Sequence, residues 1–314
     1  MLSRTADHLF WMCRYIERAE NTARMLDVNL QMSLLPQDPR SRDSSWQALL
    51  RISELQHGYR DKYPDITPDS VLHYMVRDPD NQSSIYSCLR AARENARAVR
   101  GSLTTEVWET YNTTWLDLQK RLQGDLLERN PGEFFEWVKF RSHLARGVTV
   151  GTMLEDEALV FLRLGMHLER ADNTARLLDV KFHESDEAEH GINSEFYRWS
   201  AILSSVSGLE VYRKVYRDVI TPDRVAELLI LRADMPRSLL SSIGAVADDL
   251  ARVSNQRSAE TERRAGMLCA ELRYARVEDI LRGGGLHRFL ERFLDRVNDL
   301  GNRVSQDFLL PLSA

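Results

Sequence analysis

Ile16-Glu17-Arg18-Ala19-Glu20-Asn21-Thr22-Ala23-Arg24-Met25-Leu26-Asp27-Val28 occurs a second time as Leu168-Glu169-Arg170-Ala171-Asp172-Asn173-Thr174-Ala175-Arg176-Leu177-Leu178-Asp179-Val180, with three differences, each conservative. A match this close, about half a chain-length away, is the mark of internal duplication and bears on the whole architecture. The register persists outside the motif. Met153-Leu154 matches Met1-Leu2, Trp199 matches Trp46, and Ile220-Thr221-Pro222-Asp223 matches Ile66-Thr67-Pro68-Asp69, at offsets of 152 to 154 residues. The chain therefore reads as two halves, 1–152 and 153–314, expected to pack as one duplicated helical bundle.

At 100° per residue, Met12, Ile16, Ala19, Ala23, Leu26 and Leu30 fall on one arc, with Glu17, Glu20, Asn21, Arg24 and Asp27 opposite. Glu17 precedes Asn21 by one helical turn and Glu20 precedes Arg24 by the same step, the favourable acid-first order. Glu169, Asp172, Asn173 and Arg176 repeat it. On a solvated face such pairs contribute only about 0.3–0.5 kcal/mol each, and Lys, Arg, Gln and Glu exchange freely there. Here the Glu-Arg, Asn-Thr-Ala-Arg and Leu-Asp-Val steps are kept, whereas the five preceding residues, Trp11 to Tyr15 against Arg163 to His167, all differ. A bidentate Arg–carboxylate geometry explains why Arg is not replaced by Lys. The candidate binding residues are accordingly Glu17, Arg18, Glu20, Asn21 and Arg24, with Glu169, Arg170, Asp172, Asn173 and Arg176, in a buried or cleft-lining network. Two duplicated helices can face each other about a pseudo-twofold axis. Glu17 would then pair with Arg176 or Arg170, and Glu169 with Arg24 or Arg18.

Composition narrows the class. The 314 residues suffice for two domains or one large helical one, and 43% hydrophobic with 28% charged residues is ordinary for a globular chain. A net charge of −5 argues against a nucleic-acid-binding domain. Cys13, Cys88 and Cys269 are widely spaced and odd in number, so neither a disulfide framework nor a zinc site is indicated. The N-terminal apolar run carries acidic residues, unlike a signal peptide, and no apolar stretch approaches a membrane span. A cytoplasmic protein is expected, with no membrane or nucleic-acid partner.

Helix signals recur along the chain. A first helix is expected over Ser3 to Leu34, a polar linker over Gln37 to Ser44, and a second helix from Ser45 to Tyr59. Thr67-Pro68-Asp69 opens a third, with Thr as cap and Pro in the first turn. Asp78-Pro79-Asp80-Asn81 reads as a loop. Further helices are expected over Ser84 to Arg100, Thr105 to Arg129 and Phe134 to Thr149, with Asn130-Pro131-Gly132 ending the second of these. In the second half, His183 to Asn193 matches the first linker and Pro236 to Val253 matches the Ser84 helix. Ser258 to Arg282 reads as one helix, Gly283-Gly284-Gly285 as a break, and Leu286 to Leu309 as a final amphipathic helix. Strand signals are absent, so the fold class is all-α, with about twelve helices.

Catalytic signatures are few. A ferritin-like di-iron site needs Glu-x-x-His pairs, whereas the third residue after Glu17 is Glu20 and after Glu169 is Asp172. A carboxylate-only Mg²⁺ or Mn²⁺ site would compete with the adjacent arginines, so no metal and no cofactor is expected. No nucleophile elbow, phosphate loop or catalytic Cys signature is present. The remaining stretch of note is Arg90-Ala-Ala-Arg93-Glu94-Asn95-Ala96-Arg97-Ala-Val-Arg100, a ridge suited to gripping carboxylates or phosphates bidentately. Arg93 and Arg97 are taken as candidate anion-binding residues. The alternative is pairing with Glu106, Glu109 and the acids of neighbouring helices. The second half has Gly244-Ala-Val-Ala247-Asp248-Asp249-Leu250-Ala251 there and lacks most of these arginines.

The doubled Glu-Arg motif, the opening Met1-Leu2-Ser3-Arg4-Thr5-Ala6, the Ala92-Arg93-Glu94-Asn95-Ala96-Arg97 helix with Glu106-x-Trp108-Glu109-x-x-Asn112, and Phe161-Leu162-Arg163-Leu164-Gly165 together resemble the bacterial alpha-E domain family over nearly the whole chain. The resemblance implies an all-α domain whose motif residues are Glu17, Arg18, Glu169 and Arg170. Cys13 stands where the family commonly has Gly, as at Gly165, which implies a looser helix contact in the first copy. It also implies two partners, a circularly permuted ATP-grasp protein and a transglutaminase-like peptidase, in a system that makes or trims amide linkages. The leading expectation is a non-catalytic helical partner or ligand-binding subunit of an ATP-grasp-type peptide- or amide-bond-forming system. Two alternatives stand: an enzyme of amide or peptide chemistry using a Glu-Arg cleft, and an interaction protein in which the motif is a salt-bridge staple.

Overall fold

A computed structural model describes residues 1–34, 39–186, 192–282 and 285–309, and these form sixteen α-helices and one 3₁₀ turn, with no strand among the described residues. They are α1 (Ser3–Ser33), α2 (Pro39–Ile52), α3 (Gln56–Arg60), α4 (Pro68–Val76), α5 (Ile85–Ala98), α6 (Thr105–Gln123), α7 (Leu126–Arg129), α8 (Pro131–Thr152), α9 (Glu157–Asp186), α10 (Ile192–Ser205), α11 (Leu209–Tyr216), α12 (Pro222–Leu231), α13 (Leu239–Arg252), α14 (Ala259–Tyr274), α15 (Val277–Arg282) and α16 (Gly285–Phe308). The all-α class holds. No described helix is long and apolar enough to cross a membrane.

The count exceeds twelve because several expected helices are divided. The one expected from Ser45 to Tyr59 breaks at Glu54, whose φ of 54° is left-handed. The Thr105 to Arg129 helix stops at Gly124, and the Ser258 to Arg282 helix is interrupted where Ala275 turns extended. Two boundaries move the other way. Helix α2 starts at Pro39, within the stretch read as a linker, and Asn130 proves to be the N-cap of α8, its side chain accepting from the Glu133 N–H at 3.3 Å. Asn-Pro was read as a stop, but Pro in a first turn equally starts a helix, because its missing N–H has no partner to lose there. Gln37 and Asp38 of the first expected linker, residues 187–191 of the second, and Gly283 and Gly284 lie outside the described residues; Gly285 opens α16 with a φ of 85°.

The chain divides into two compact units, Met1–Met166 and His167–Ala314, the division falling within α9. In the first unit α1 packs on α5 and α8, and α6 packs on the same two, which closes a four-helix ring. Its caps follow the sequence. Thr67 Oγ1 accepts from the Ser70 N–H at 3.2 Å in a capping box, and Ser84 Oγ accepts from the Ser87 N–H at 3.1 Å. Ser84 Oγ also donates to the Asp78 carbonyl at 2.7 Å, tying the cap to the loop before it. The expected Asp78–Asn81 loop is present.

In the second unit α13 packs on α14, and α14 and α15 on α16. Ser238 caps α13, accepting from the Ser241 N–H at 3.0 Å and donating to the Arg232 carbonyl at 2.5 Å. Tyr212 OH donates to the Val219 carbonyl at 2.8 Å, as Tyr59 OH in the first unit donates to the Asp65 carbonyl at 2.9 Å. Ser207, like Glu54, ends its helix with a φ of 54°. Trp46 and Trp199 are each buried.

Gly165 sits where α9 crosses α1 so closely that an added Cβ would lie 2.2 Å from the Phe10 carbonyl oxygen. Gly266, inside α14, has nothing within 4 Å of that position. Gly165→Ala is expected to lower stability by about 1–3 kcal/mol through overpacking. Gly266→Ala should raise it by about 0.5–1 kcal/mol, since Ala is the better helix former. Urea denaturation of the two variants checks both signs.

Candidate functional site

The polar arc of the first motif copy is buried along its length: Glu17, Glu20, Asn21, Arg24 and Asp27 are all shielded from solvent, Glu20 completely. The solvated-face reading is thereby excluded. What covers the arc is α8, whose Lys139, Ser142, His143 and Arg146 recur at i, i+3, i+4 and i+7 and so share a face. Lys139 Nζ donates to Asp27 Oδ2 at 2.8 Å, while Arg146 reaches Glu17 Oε2 at 3.3 Å and Glu20 Oε2 at 2.7 Å. Rising numbers on α8 meet falling numbers on α1, so the two helices run antiparallel with complementary charge.

Glu20 is the centre of the network. Its Oε1 accepts from Arg24 Nε at 2.8 Å, and its Oε2 accepts from Ser142 Oγ at 2.6 Å as well as from Arg146. His143 lies between the two guanidiniums, with Nε2 3.2 Å from Arg24 Nη2 and Nδ1 2.8 Å from Arg146 Nη2, and as a neutral imidazole it accepts from one of them. Arg18 is half-buried, its guanidinium 5.9 Å from the Tyr15 ring centroid.

Glu17 and Arg146 also border a pocket of about 410 Å³, solvent mouth included. Ile16, Val150, Leu159, Leu162 and Met166 supply its apolar walls, and Cys13, Tyr111, Ser142, Thr149 and Arg163 complete it. Its elements are α1, α6, α8 and the first turns of α9, all in the first unit. The thiol and the phenol beside the carboxylate are held neutral. Burial pushes the Cys13 thiol up to about 12, with the Glu17 charge adding to the effect, and Tyr111 is raised well above the usual phenol range, also chiefly by burial. Cys13 Sγ lies 3.9 Å from Tyr111 OH. A thiol in that state is not a nucleophile at neutral pH, because only the thiolate attacks. The pocket is therefore an apolar recess floored by a carboxylate–guanidinium pair.

In the second copy Glu169 and Arg170 are buried, Asn173 is half-buried, and Arg176 grips Asp172 bidentately within the helix, at 2.8 and 3.0 Å. Thr174 Oγ1 donates to the Arg237 carbonyl at 3.0 Å, and Asp179 Oδ1 lies 2.6 Å from His287 Nδ1 on α16. The matching aspartates Asp27 and Asp179 thus each meet a basic residue of their own unit, Lys139 and His287. Arg93 and Arg97 lie on α5, away from the pocket lining. Their acid partner is Glu94 of the same helix, with Arg97 at 2.9 Å, and Arg93 Nε donates to Asn112 Oδ1 at 3.2 Å; neither meets Glu106 or Glu109.

Sequence reasoning named Glu17 among the motif residues but not Arg146, Ser142, His143 or Tyr111. A signal for two of them, His143 and Arg146, was present. The helix from 131 to 152 carries Lys139, His143 and Arg146 on one face after its only acids, Glu133 and Glu136, and that basic face matches the acidic spacing of the motif.

Fold and site together define an all-helical protein organised around a buried Glu–Arg motif. The chain belongs to the Alpha-E family, described as a predicted alpha-helical domain with a conserved ER motif, which matches residues 1–309. No curated relative and no solved structure matches it.

Glu20→Ala should cost about 3–5 kcal/mol, since it leaves the buried Arg24 guanidinium without its carboxylate, whereas Glu17→Gln, nearly isosteric and still offering Arg146 an acceptor oxygen, should cost less; equilibrium unfolding separates them. The Asp179 hydrogen bond raises the His287 pKa above its ordinary 6.5. A raised pKa means that the stabilisation is present in full below about pH 6.5 and fades as the pH climbs through the folded-state value. Wild type should therefore lose a small increment of stability on going from pH 6 upward, and His287→Asn should not, as followed by thermal melts across that range.

Proposed function

We propose that this protein is a non-catalytic, ligand-binding helical partner in a cytoplasmic system of the ATP-grasp type that forms peptide or amide bonds. The observation that carries the binding half of the reading is the pocket beside Glu17 and Arg146. It offers apolar walls and a fixed ion pair to a ligand, while its thiol and phenol are held protonated by burial. Chemistry by nucleophilic attack would need the opposite arrangement, a lowered thiol pKa or an adjacent base. The partner half rests on the family resemblance, which points to a circularly permuted ATP-grasp protein and a transglutaminase-like peptidase.

A second reading draws support from Glu20, whose carboxylate is wholly buried and accepts from Arg24, Ser142 and Arg146. That part of the motif acts as a staple. The division of labour is then within one motif: Glu20 and Arg24 hold α1 to α8, and Glu17 with Arg146 serves the ligand.

The test is reconstitution. Added to the ATP-grasp partner and its amide substrates, the chain should raise or redirect ADP release, and Glu17→Gln should abolish that effect while melting close to wild type. Amide or peptide turnover by the chain alone, lost in Glu17→Gln, would replace this reading with the enzymatic one.

A further inference from the structure

The arginine ridge of α5 is not used by the pocket or the staple, and its environment is unusual for a surface charge cluster. Arg90 lies 5.5 Å from the Tyr86 ring centroid, and Arg93 and Arg100 lie 5.7 and 5.5 Å from that of Trp108. Among the described residues Glu94 is the sole carboxylate paired with any of the four, through Arg93 and Arg97. Arg90, Arg97 and Arg100 are exposed. A guanidinium laid against a ring is held in place by its face and keeps N–H edges for a planar, bidentate acceptor. The ridge is thus oriented in advance while its charge is mostly uncompensated.

The second unit supplies an internal comparison. Ser84 and Ser238 cap α5 and α13 in the same way, and counting from those caps the four arginines correspond to Gly244, Ala247, Ala251 and Ser254. Helix α13 nonetheless forms and buries Leu239, Ile243, Val246 and Leu250 completely. A helix in this setting does not need the arginines in order to fold.

We infer that the α5 ridge docks an acidic polypeptide segment of a partner protein. From Arg90 on α5 to Arg100, which opens the 3₁₀ turn after it, the ridge spans on the order of 15 Å if the helical rise is carried through, the reach of about five extended residues. Carboxylates are favoured over a nucleic-acid backbone because Glu94 lies within the ridge, exposed Glu106 and Glu109 flank Trp108, and the whole chain carries −5. A long polyanion would meet repulsion that a short acidic peptide avoids. The surface stands apart from the pocket, so this inference does not rest on the ATP-grasp reading.

Fluorescein-labelled hexaglutamate, followed by anisotropy at low salt, is the probe. The intact chain should bind it saturably, with affinity falling as salt is added. The triple variant R90A/R97A/R100S, which leaves the anchored Arg93 in place, should bind at least about tenfold more weakly, about 1.4 kcal/mol. R263A/R264A, which removes exposed arginines from α14, should bind like wild type. Should the triple variant not fold, amide hydrogen exchange on the wild type decides: protection by the peptide over residues 84–103 supports the inference, and protection elsewhere overturns it. Absence of saturable binding, equal binding by a folded triple variant, or tighter binding of a single-stranded oligonucleotide or inorganic phosphate would each overturn it.

Discussion

A carboxylate with no solvent contact fixes the first unit. Removing Glu20 from water costs several kcal/mol unless its oxygens are returned to charged or hydroxyl donors at good distance. Arg24, Ser142 and Arg146 do so at 2.6 to 2.8 Å. One donor comes from the same helix and two from α8, so the solvation requirement of a single side chain sets both the rotation of α1 and the register of α8. A slide of one turn between these helices would leave the acid facing the wrong row. Apolar packing alone, which is non-directional, would tolerate such a slide far better.

The same constraint accounts for the character of the motif. Arg24 uses Nε on Glu20 and Nη2 on His143. A lysine ammonium lacks the rigid planar fork that fixes the directions of those two contacts. Glu17, three residues before Glu20, also receives Arg146, at 3.3 Å against 2.7 Å, and it is Glu17 that borders the recess.

Local features were legible in the sequence where short-range chemistry governs. Thr67 before Pro68, Ser84 before its apolar run, and the i,i+4 pair of Glu20 with Arg24 need only neighbours along one helix to be read correctly. The breaks at Glu54 and Ala275 were not legible, since Glu54 carries no preference for its left-handed backbone and Ala favours helix. The partners of the motif were hidden for a different reason. Arg146 lies 126 residues from Glu20, and its side belongs to a helix whose basic face is interpretable only once α1 is known to need one. The reading did anticipate burial of the motif, and it did so from the resistance of Arg and Glu to exchange between two copies within one chain.

The contact at Gly165 has a mechanical consequence. Backbone stands against backbone there, with Leu162 and Met166 on either side of it lining the pocket. Such a contact is incompressible, and it acts as a fulcrum: the early turns of α9 cannot be pressed toward α1 to tighten on a small guest. Adjustment of that wall falls to the thioether of Met166, which changes rotamer without moving a helix. The recess has a rigid frame with a soft edge.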